Sequence, residues 1–196
     1  MKTATHKEGA TPLSDYSGLK SSWVETQEEL NAVEAANIQK AIRKYLGTRK
    51  RNLLTWFSVK NINQLHKEMF GEVWTWAGKY RTTQKSVHLT PFLIPVEMYK
   101  LSQDLEFWCA NQWKPVEVAA RLHHRLVWIH PYENGNGRHA RLMGDIVLYT
   151  NGHPIPLWPD KFHQTGANHE RREYIAALQE ADRGNYIPLT ALYGKY

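Results

Sequence analysis

His130-Pro131-Tyr132-Glu133-Asn134-Gly135-Asn136-Gly137-Arg138-His139-Ala140-Arg141 joins two apolar segments of helical period. The first, Val116 to Ile129, is opened by Pro115 and carries Val118, Leu122, Leu126 and Ile129 at helical spacing. The second, Leu142 to Tyr149, is stopped at Asn151-Gly152. The spacing therefore predicts two helices and a short loop that opens directly into the second of them.

The residue types in that loop point to one kind of chemistry. Gly135 and Gly137 let the backbone approach a ligand closely. Amide N–H groups at a helix N-terminus lack intrahelical acceptors and sit at the positive end of the helix dipole, so they attract anions. Arg138 and Arg141, three residues apart, project from one face and can each fork onto phosphate oxygens. His130 has an ordinary pKa of about 6.5 and can take a proton from a hydroxyl. Asn134 and Asn136 offer carbonyl oxygens to a metal and amide donors to a phosphate. Base, anion cradle, metal ligand and paired arginines together describe phosphoryl-type transfer to a hydroxyl.

The same stretch resembles the signature of the Fic (filamentation induced by cAMP) family, HxFx(D/E)GNGRxxR. His130, Gly135, Asn136, Gly137, Arg138 and Arg141 are identical to it, Tyr132 replaces the usual Phe, and Asn134 replaces the usual Asp or Glu. Val73 to Arg81 resembles the family's lead into a target-docking hairpin, and Tyr174 to Leu178 with Ala181-Asp182 its closing helix. About residues 25 to 190 are covered, and the nearest likeness is to the mobile mystery protein B group. The resemblance implies an all-α helical bundle with a small β-hairpin flap, and transfer of AMP from ATP to a Ser, Thr or Tyr of a protein target. It makes His130 the base, gives Gly135, Asn136, Gly137, Arg138 and Arg141 to the nucleotide phosphates, and puts a Mg²⁺ ligand at Asn134. A neutral Asn is a weaker magnesium ligand than a carboxylate. Glu133 is a second candidate ligand or a solvated loop carboxylate. The flap residues are Ser86, Val87 and His88, which would pair with the target's backbone as an added strand. Alternatives are removal of AMP, another phosphoryl-type transfer, or a weakly catalytic nucleotide-binding module in a toxin–antitoxin pair.

The rest of the chain sets bounds. Its 196 residues suit one domain, and 42% hydrophobic content suffices for a core. A single cysteine, Cys109, excludes an internal disulfide, and no apolar run or h-region suggests a membrane span or signal peptide. Those features suit the cytoplasm. The net charge of +6 suits an anionic ligand, yet no familiar nucleic-acid motif is present and direct nucleic-acid binding is not expected. His123, His124, His130 and His139 do not have zinc-ligand spacing. At least one of His123 and His124 is expected to be a hydrogen-bonded core residue.

Residues 1–24 are polar and read as a flexible arm, with the Fic domain over 25–196. Thr26 and Glu29 form a capping box, predicting a helix to about Leu46 that stops at Gly47. Glu34 lies inside its apolar stripe, a costly place for an unpaired carboxylate. Many Fic proteins carry an inhibitory helix, (S/T)xxxE(G/N), whose Glu pairs with the second motif arginine. Two candidates exist: Glu34, on burial grounds, and Glu25, in the better string match Ser21 to Thr26. An antitoxin-like protein acting in trans is the alternative source of such a carboxylate. Helical spacing resumes over Leu53 to Phe70 and Met98 to Trp108, and a final helix is expected over about His169 to Ala181. Trp74 and Trp76 read as core residues, and Arg81 to Pro91 as the hairpin. Tyr174 is read as core or as a wall of an adenine pocket.

Overall fold

A computed structural model describes residues 17–47, 52–85, 89–159 and 169–196. At its centre the two helices flanking the quoted loop, α5 (Pro115–Ile129) and α6 (Asn136–Thr150), pack against each other more extensively than any other pair. Helix α6 is buried on nearly every side, in keeping with the mainly apolar run from Leu142 to Tyr149. Around this pair lie α1 (Gln27–Leu46), α2 (Leu53–Trp56), α3 (Val59–Phe70), α4 (Ile94–Ala110), α7 (His169–Asp182) and α8 (Ile187–Lys195). The architecture is an all-α bundle.

Most boundaries follow local chemistry. Thr26 caps α1: its hydroxyl accepts the Glu29 N–H at 3.2 Å, while Glu29 Oε2 takes the Thr26 N–H at 2.9 Å. Leu30, Glu34, Asn37, Ala41 and Tyr45 are its buried residues, spaced three or four apart. The segment expected as one helix from Leu53 to Phe70 is two, because Ser58 caps a new start by accepting the Asn61 N–H at 3.3 Å. Helix α4 begins four residues before Met98, led in by a 3₁₀ turn over Pro91–Leu93 with Pro95 in its first turn. Helix α8, with Pro188 in its first turn, follows the helix expected to be last.

Two expectations fall partly outside the described residues. Of the N-terminal arm, residues 1–16 lie outside, while Gly18 to Lys20 runs along the turn after α3. There the Thr75 N–H donates to Gly18 O at 2.8 Å and the Lys20 N–H to Val73 O at 2.9 Å. Leu19 opposite Trp74 forms an isolated antiparallel bridge. Of the flap, Ser86, Val87 and His88 lie outside, and among the described residues no β-strand is present. No helix among them is long and apolar enough to cross a membrane.

Helix α1 is set in register by polar bonds as well as by its stripe. The Asn37 amide donates to Glu68 O at 2.9 Å, a carbonyl in the last turn of α3, and its oxygen accepts the Glu72 N–H at 3.1 Å. Lys44 reaches Glu68 at 2.8 Å, and Lys40 pairs with Glu72. These bonds hold α1 across α3 so that Glu34 arrives at the head of α6.

Among the described residues three imidazoles are fully buried: His66, His123 and His139. His123 lies between the Tyr193 and Tyr174 hydroxyls at 3.0 and 2.8 Å, a hydrogen-bonded core residue as expected. His139 Nε2 bonds Ile62 O at 3.0 Å, and burial pushes its pKa down to about 4. Burial likewise holds His66 and His123 well below their ordinary value. Because these folded-state values are depressed, the stabilisation is complete above about pH 6.5, and it is lost as pH falls, when the unfolded chain takes up protons that the core refuses. Each such imidazole withdraws about 1.4 kcal/mol per pH unit in that window. The melting temperature, followed by circular dichroism, should fall steadily from pH 7 to pH 5; a flat profile would contradict this account.

Candidate active site

The loop between α5 and α6 is bracketed by two left-handed residues. His130 (φ 50°, ψ 58°) ends α5, its N–H donating to Leu126 O, and Gly135 (φ 78°) precedes α6. Between them Tyr132 is completely buried and stacks on His66 with ring centroids 3.6 Å apart. Its hydroxyl, absent from the usual Phe, donates to Asn63 Oδ1 at 2.7 Å, so the added polar atom is satisfied. The Asn136 side chain closes the loop: its oxygen accepts the Tyr132 N–H at 3.0 Å, and its amide donates to Tyr132 O at 2.8 Å. That side chain is spent on the loop, so a ligand at Asn136 would meet its backbone N–H. His66 accepts the Gly78 N–H on Nδ1 at 3.0 Å, which leaves its Nε2–H to donate to Asn134 O at 3.0 Å.

Gly135 and Gly137 are glycines for different reasons. A Cβ on Gly135 would lie 2.4 Å from Phe70 Cζ, besides needing a left-handed backbone. A Cβ on Gly137 would meet nothing nearer than Arg141 Nη1 at 3.9 Å and the Tyr174 hydroxyl at 4.0 Å. The protein itself does not require that glycine. The space in front of it lies at the head of α6, where a helix leaves N–H groups without intrahelical acceptors, a feature that attracts anions.

The imidazole of His130 is held neutral. Burial, with the Arg81 charge next in weight, pushes its pKa down to about 4. At pH 7 it can therefore accept a proton.

The two motif arginines have separate surroundings. Arg138 lies over the Phe70 ring at 4.8 Å and forms a 2.6 Å ion pair, Nη1 to Glu34 Oε2. The other Glu34 oxygen accepts the Trp74 indole N–H at 2.6 Å, so the 5%-exposed carboxylate is satisfied on both oxygens. Glu34 thus pairs with the first motif arginine, where the resemblance implied the second. Arg141 instead is 6% exposed, lies over the Tyr174 ring at 5.6 Å and feels the charge of Asp145. Glu25 is exposed just before the cap of α1, and its N–H donates to Glu29.

Asp145 was not anticipated, although a lone carboxylate in an apolar run is the same signal that exposed Glu34. It accepts the Trp158 indole N–H at 2.9 Å, and burial pushes its carboxyl up to about 7 against the opposing pull of that bond and of Arg141. Trp74 was expected as core, which it is, but its N–H also fixes the orientation of Glu34. Asn134 Oδ1 accepts the Gly135 N–H at 2.6 Å. Glu133 accepts the Thr83 hydroxyl at 3.1 Å and pairs with Lys85 at 2.6 Å, so it faces the segment after Arg81. Tyr174 is buried, bonded to His123 and stacked by Arg141.

A model of the Fic/DOC family matches residues 56–148, the span from the last residue of α2 through nearly all of α6. The chain belongs to the Fic/DOC family. Among curated proteins, the protein adenylyltransferase fic-1 of Caenorhabditis briggsae is 32% identical over 146 residues, 71% of this chain and 27% of that protein. The protein adenylyltransferase Fic of Drosophila grimshawi is 33% identical over 138 residues, 67% of this chain and 26% of that protein. The chain spans about a quarter of the length of these relatives. Among solved structures, Fic-1 (residues 134–508) of Caenorhabditis elegans superposes with a TM-score of 0.69 at 24% identity, covering 89% of this chain and 50% of that one. BepC of Bartonella tribocorum, with bound AMPPNP, gives 0.67 at 19% identity and covers 91% of each chain. These likenesses establish a Fic fold.

The two glycines of this Fic loop should separate stability from binding. Gly135→Ala should destabilise the fold by about 2 kcal/mol or more, from backbone strain and overlap with Phe70. Gly137→Ala should leave the melting temperature within about 2 °C yet weaken binding of a non-hydrolysable ATP analogue about tenfold. Thermal unfolding and calorimetry read the two effects, and equal effects in both variants would refute the distinction.

Proposed function

We propose that the chain binds ATP at the head of α6 and transfers AMP to a Ser, Thr or Tyr hydroxyl of a protein target, with Glu34 restraining the reaction. The observation that carries this reading is a neutral His130 one short loop before a helix N-terminus topped by two arginines. The curated relatives are protein adenylyltransferases, and BepC has been solved with an ATP analogue. In this reading the N–H groups of Asn136 and Gly137 meet the α-phosphate region, Arg138 the β-phosphate and Arg141 the γ-phosphate. The His130 imidazole takes the proton of the target hydroxyl as its oxygen attacks the α-phosphorus. A new P–O bond forms, the α–β anhydride breaks, and pyrophosphate leaves with its charge on the helix head and the arginines.

Glu34 opposes this arrangement in a simple way. While its carboxylate holds Arg138 at 2.6 Å, that guanidinium is not available to a β-phosphate. The chain thereby supplies from its own α1 what an antitoxin-like partner would supply in trans.

The residues present do not fit a Mg²⁺ ion held by the protein. Asn134 is neutral, and its oxygen is already bonded to Gly135. Glu133 is engaged by Thr83 and Lys85. Among the described residues no three His, Cys, Asp or Glu side chains gather as a metal site. Magnesium binds reluctantly without carboxylates.

Two measurements test these points. After incubation with ATP and Mg²⁺, intact mass spectrometry should find a nucleotidyl adduct at least about tenfold more abundant in Glu34→Gly than in the parent, a barrier difference of about 1.4 kcal/mol. Adding His130→Ala should abolish it. ATP binding with no adduct in Glu34→Gly would sink autonomous AMP transfer and leave a nucleotide-binding module. Separately, Asn134→Asp should make affinity for an ATP analogue about tenfold more magnesium-dependent, by calorimetry in Mg²⁺ against EDTA. An unchanged ratio would mean that position 134 does not face the metal.

A further inference from the structure

His123 is completely buried on α5, and the reaction described above makes no use of it. Its Nε2 lies 2.8 Å from the Tyr174 hydroxyl of α7, and its Nδ1 lies 3.0 Å from the Tyr193 hydroxyl of α8. On its other side Tyr174 takes a hydrogen bond from Arg141 of α6, whose guanidinium lies over its ring at 5.6 Å. Both groups border the space at Gly137, the second residue of α6. A Cβ there would stand 3.9 Å from Arg141 Nη1 and 4.0 Å from the Tyr174 hydroxyl.

The direction of this chain of hydrogen bonds is set at both ends. An arginine only donates, so the Tyr174 oxygen accepts from Arg141 and its hydrogen points to His123 Nε2. Burial holds the imidazole neutral, so its one N–H is on Nδ1 and donates to the Tyr193 oxygen. The Tyr193 hydrogen is then left for a carbonyl, which only accepts: Ala119 O at 3.5 Å.

We propose that His123 is a positioning residue: through the Tyr174 hydroxyl it holds the Arg141 guanidinium toward the head of α6, ready for the terminal phosphate of ATP. This rests on the nucleotide-binding reading above.

Three observations support it. The anchor is uncharged. Glu34 orients Arg138 but competes with a phosphate for it, whereas a neutral hydroxyl orients Arg141 and leaves its charge for an anion. Asp145, one turn along α6, accepts the Trp158 N–H instead, and burial pushes its carboxyl up to about 7. Helix α6 also makes room for the far end of the chain, since a Cβ on Gly144 would overlap the Tyr193 hydroxyl. Lastly, Trp158 meets the His123 and Tyr193 rings edge-on, with centroids 6.0 and 5.0 Å away. Among such walls an imidazole and two hydroxyls cost more than apolar side chains, so filling the core alone is a poor reason for them.

Tyr174→Phe tests this, because it removes one oxygen and keeps the ring beside Arg141. It is made in Glu34→Gly, where Arg138 is released from its carboxylate, alongside His123→Leu, which breaks the same chain one link further on. By calorimetry each should bind a non-hydrolysable ATP analogue about tenfold more weakly than Glu34→Gly does, and ADP within about twofold. Equal weakening for both nucleotides would overturn the proposal and make Tyr174 a wall of the nucleotide pocket. So would unchanged analogue binding in Tyr174→Phe, which decides alone if His123→Leu fails to fold. A second readout needs no nucleotide. In ligand-free Glu34→Gly, NMR should resolve the two Nη groups of Arg141, because bonded donors slow rotation about Nε–Cζ, and Tyr174→Phe should merge their signals. Signals unchanged by Tyr174→Phe, or already merged in Glu34→Gly, would overturn the positioning role. If Glu34→Gly binds no analogue, the nucleotide-binding reading fails instead, and the Nη signals still decide whether the chain holds Arg141.

Discussion

The turn between α5 and α6 is the constraint on which the rest of the structure depends. It must reverse the chain between two helices that pack closely on each other while leaving the second helix with an open N-terminus. An ordinary cap would block that end with a side chain. Here Gly135 occupies the cap position with no side chain to offer, and the Asn136 amide is turned back onto the backbone N–H and C=O of Tyr132. The loop is thus closed by bonds directed inward, and the helix head faces outward. Phe70 beneath Gly135 and His66 beneath Tyr132 and Asn134 complete the support from α3. The requirement for glycine at 135 is therefore as much about Phe70 as about φ.

Helix α1 meets that open end with a carboxylate, and the cost of burying it decides how firmly it stays. A carboxylate out of water without partners would be strongly unfavourable; Trp74 and Arg138 each neutralise part of that cost. Trp74 is itself paired by backbone to the Gly18–Lys20 segment, whose Gly18 lies so close to Trp76 that a Cβ there would stand 2.5 Å from the indole. The chain before α1 therefore buttresses the indole that orients Glu34.

What the sequence made legible was whatever announces itself locally. The capping box at Thr26, the stripe of α1, Pro115 and the glycines of the loop all act within a few residues, and all are where they were expected. Glu34 was legible because a carboxylate in an apolar stripe demands a partner. Which partner was not, since Trp74 and Arg138 lie 40 and 104 residues away and the choice between the arginines depends on how deeply each is buried. The break at Ser58 was written in the sequence as a cap but lay hidden inside a continuous helical period. Helix α8 escaped notice because it is nine residues long, with Pro188 near its start and Gly194 near its end. The role of Arg81 was invisible in principle: its acceptors are the backbone carbonyls of His130, Thr83 and Leu89, and every residue has a carbonyl.

The two motif arginines, although only one turn apart, differ in what it takes to move them. Arg141 is buried beside Tyr174 and Asp145, and burial lowers its pKa; withdrawing it would remove the positive charge that opposes the rise of the Asp145 carboxyl. Arg138 keeps 24% of its side chain exposed, and its carboxylate partner comes from a different helix. Exchanging that carboxylate for a phosphate replaces one charge-assisted pair with another at little net cost. Releasing Glu34 is different, because at 6% side-chain exposure it has Trp74 but no charge once Arg138 leaves. In the proposed reading, the resistance to nucleotide entry resides mainly in the stranded carboxylate. That places control of the site in the packing of α1 and Trp74 rather than in the strength of the ion pair.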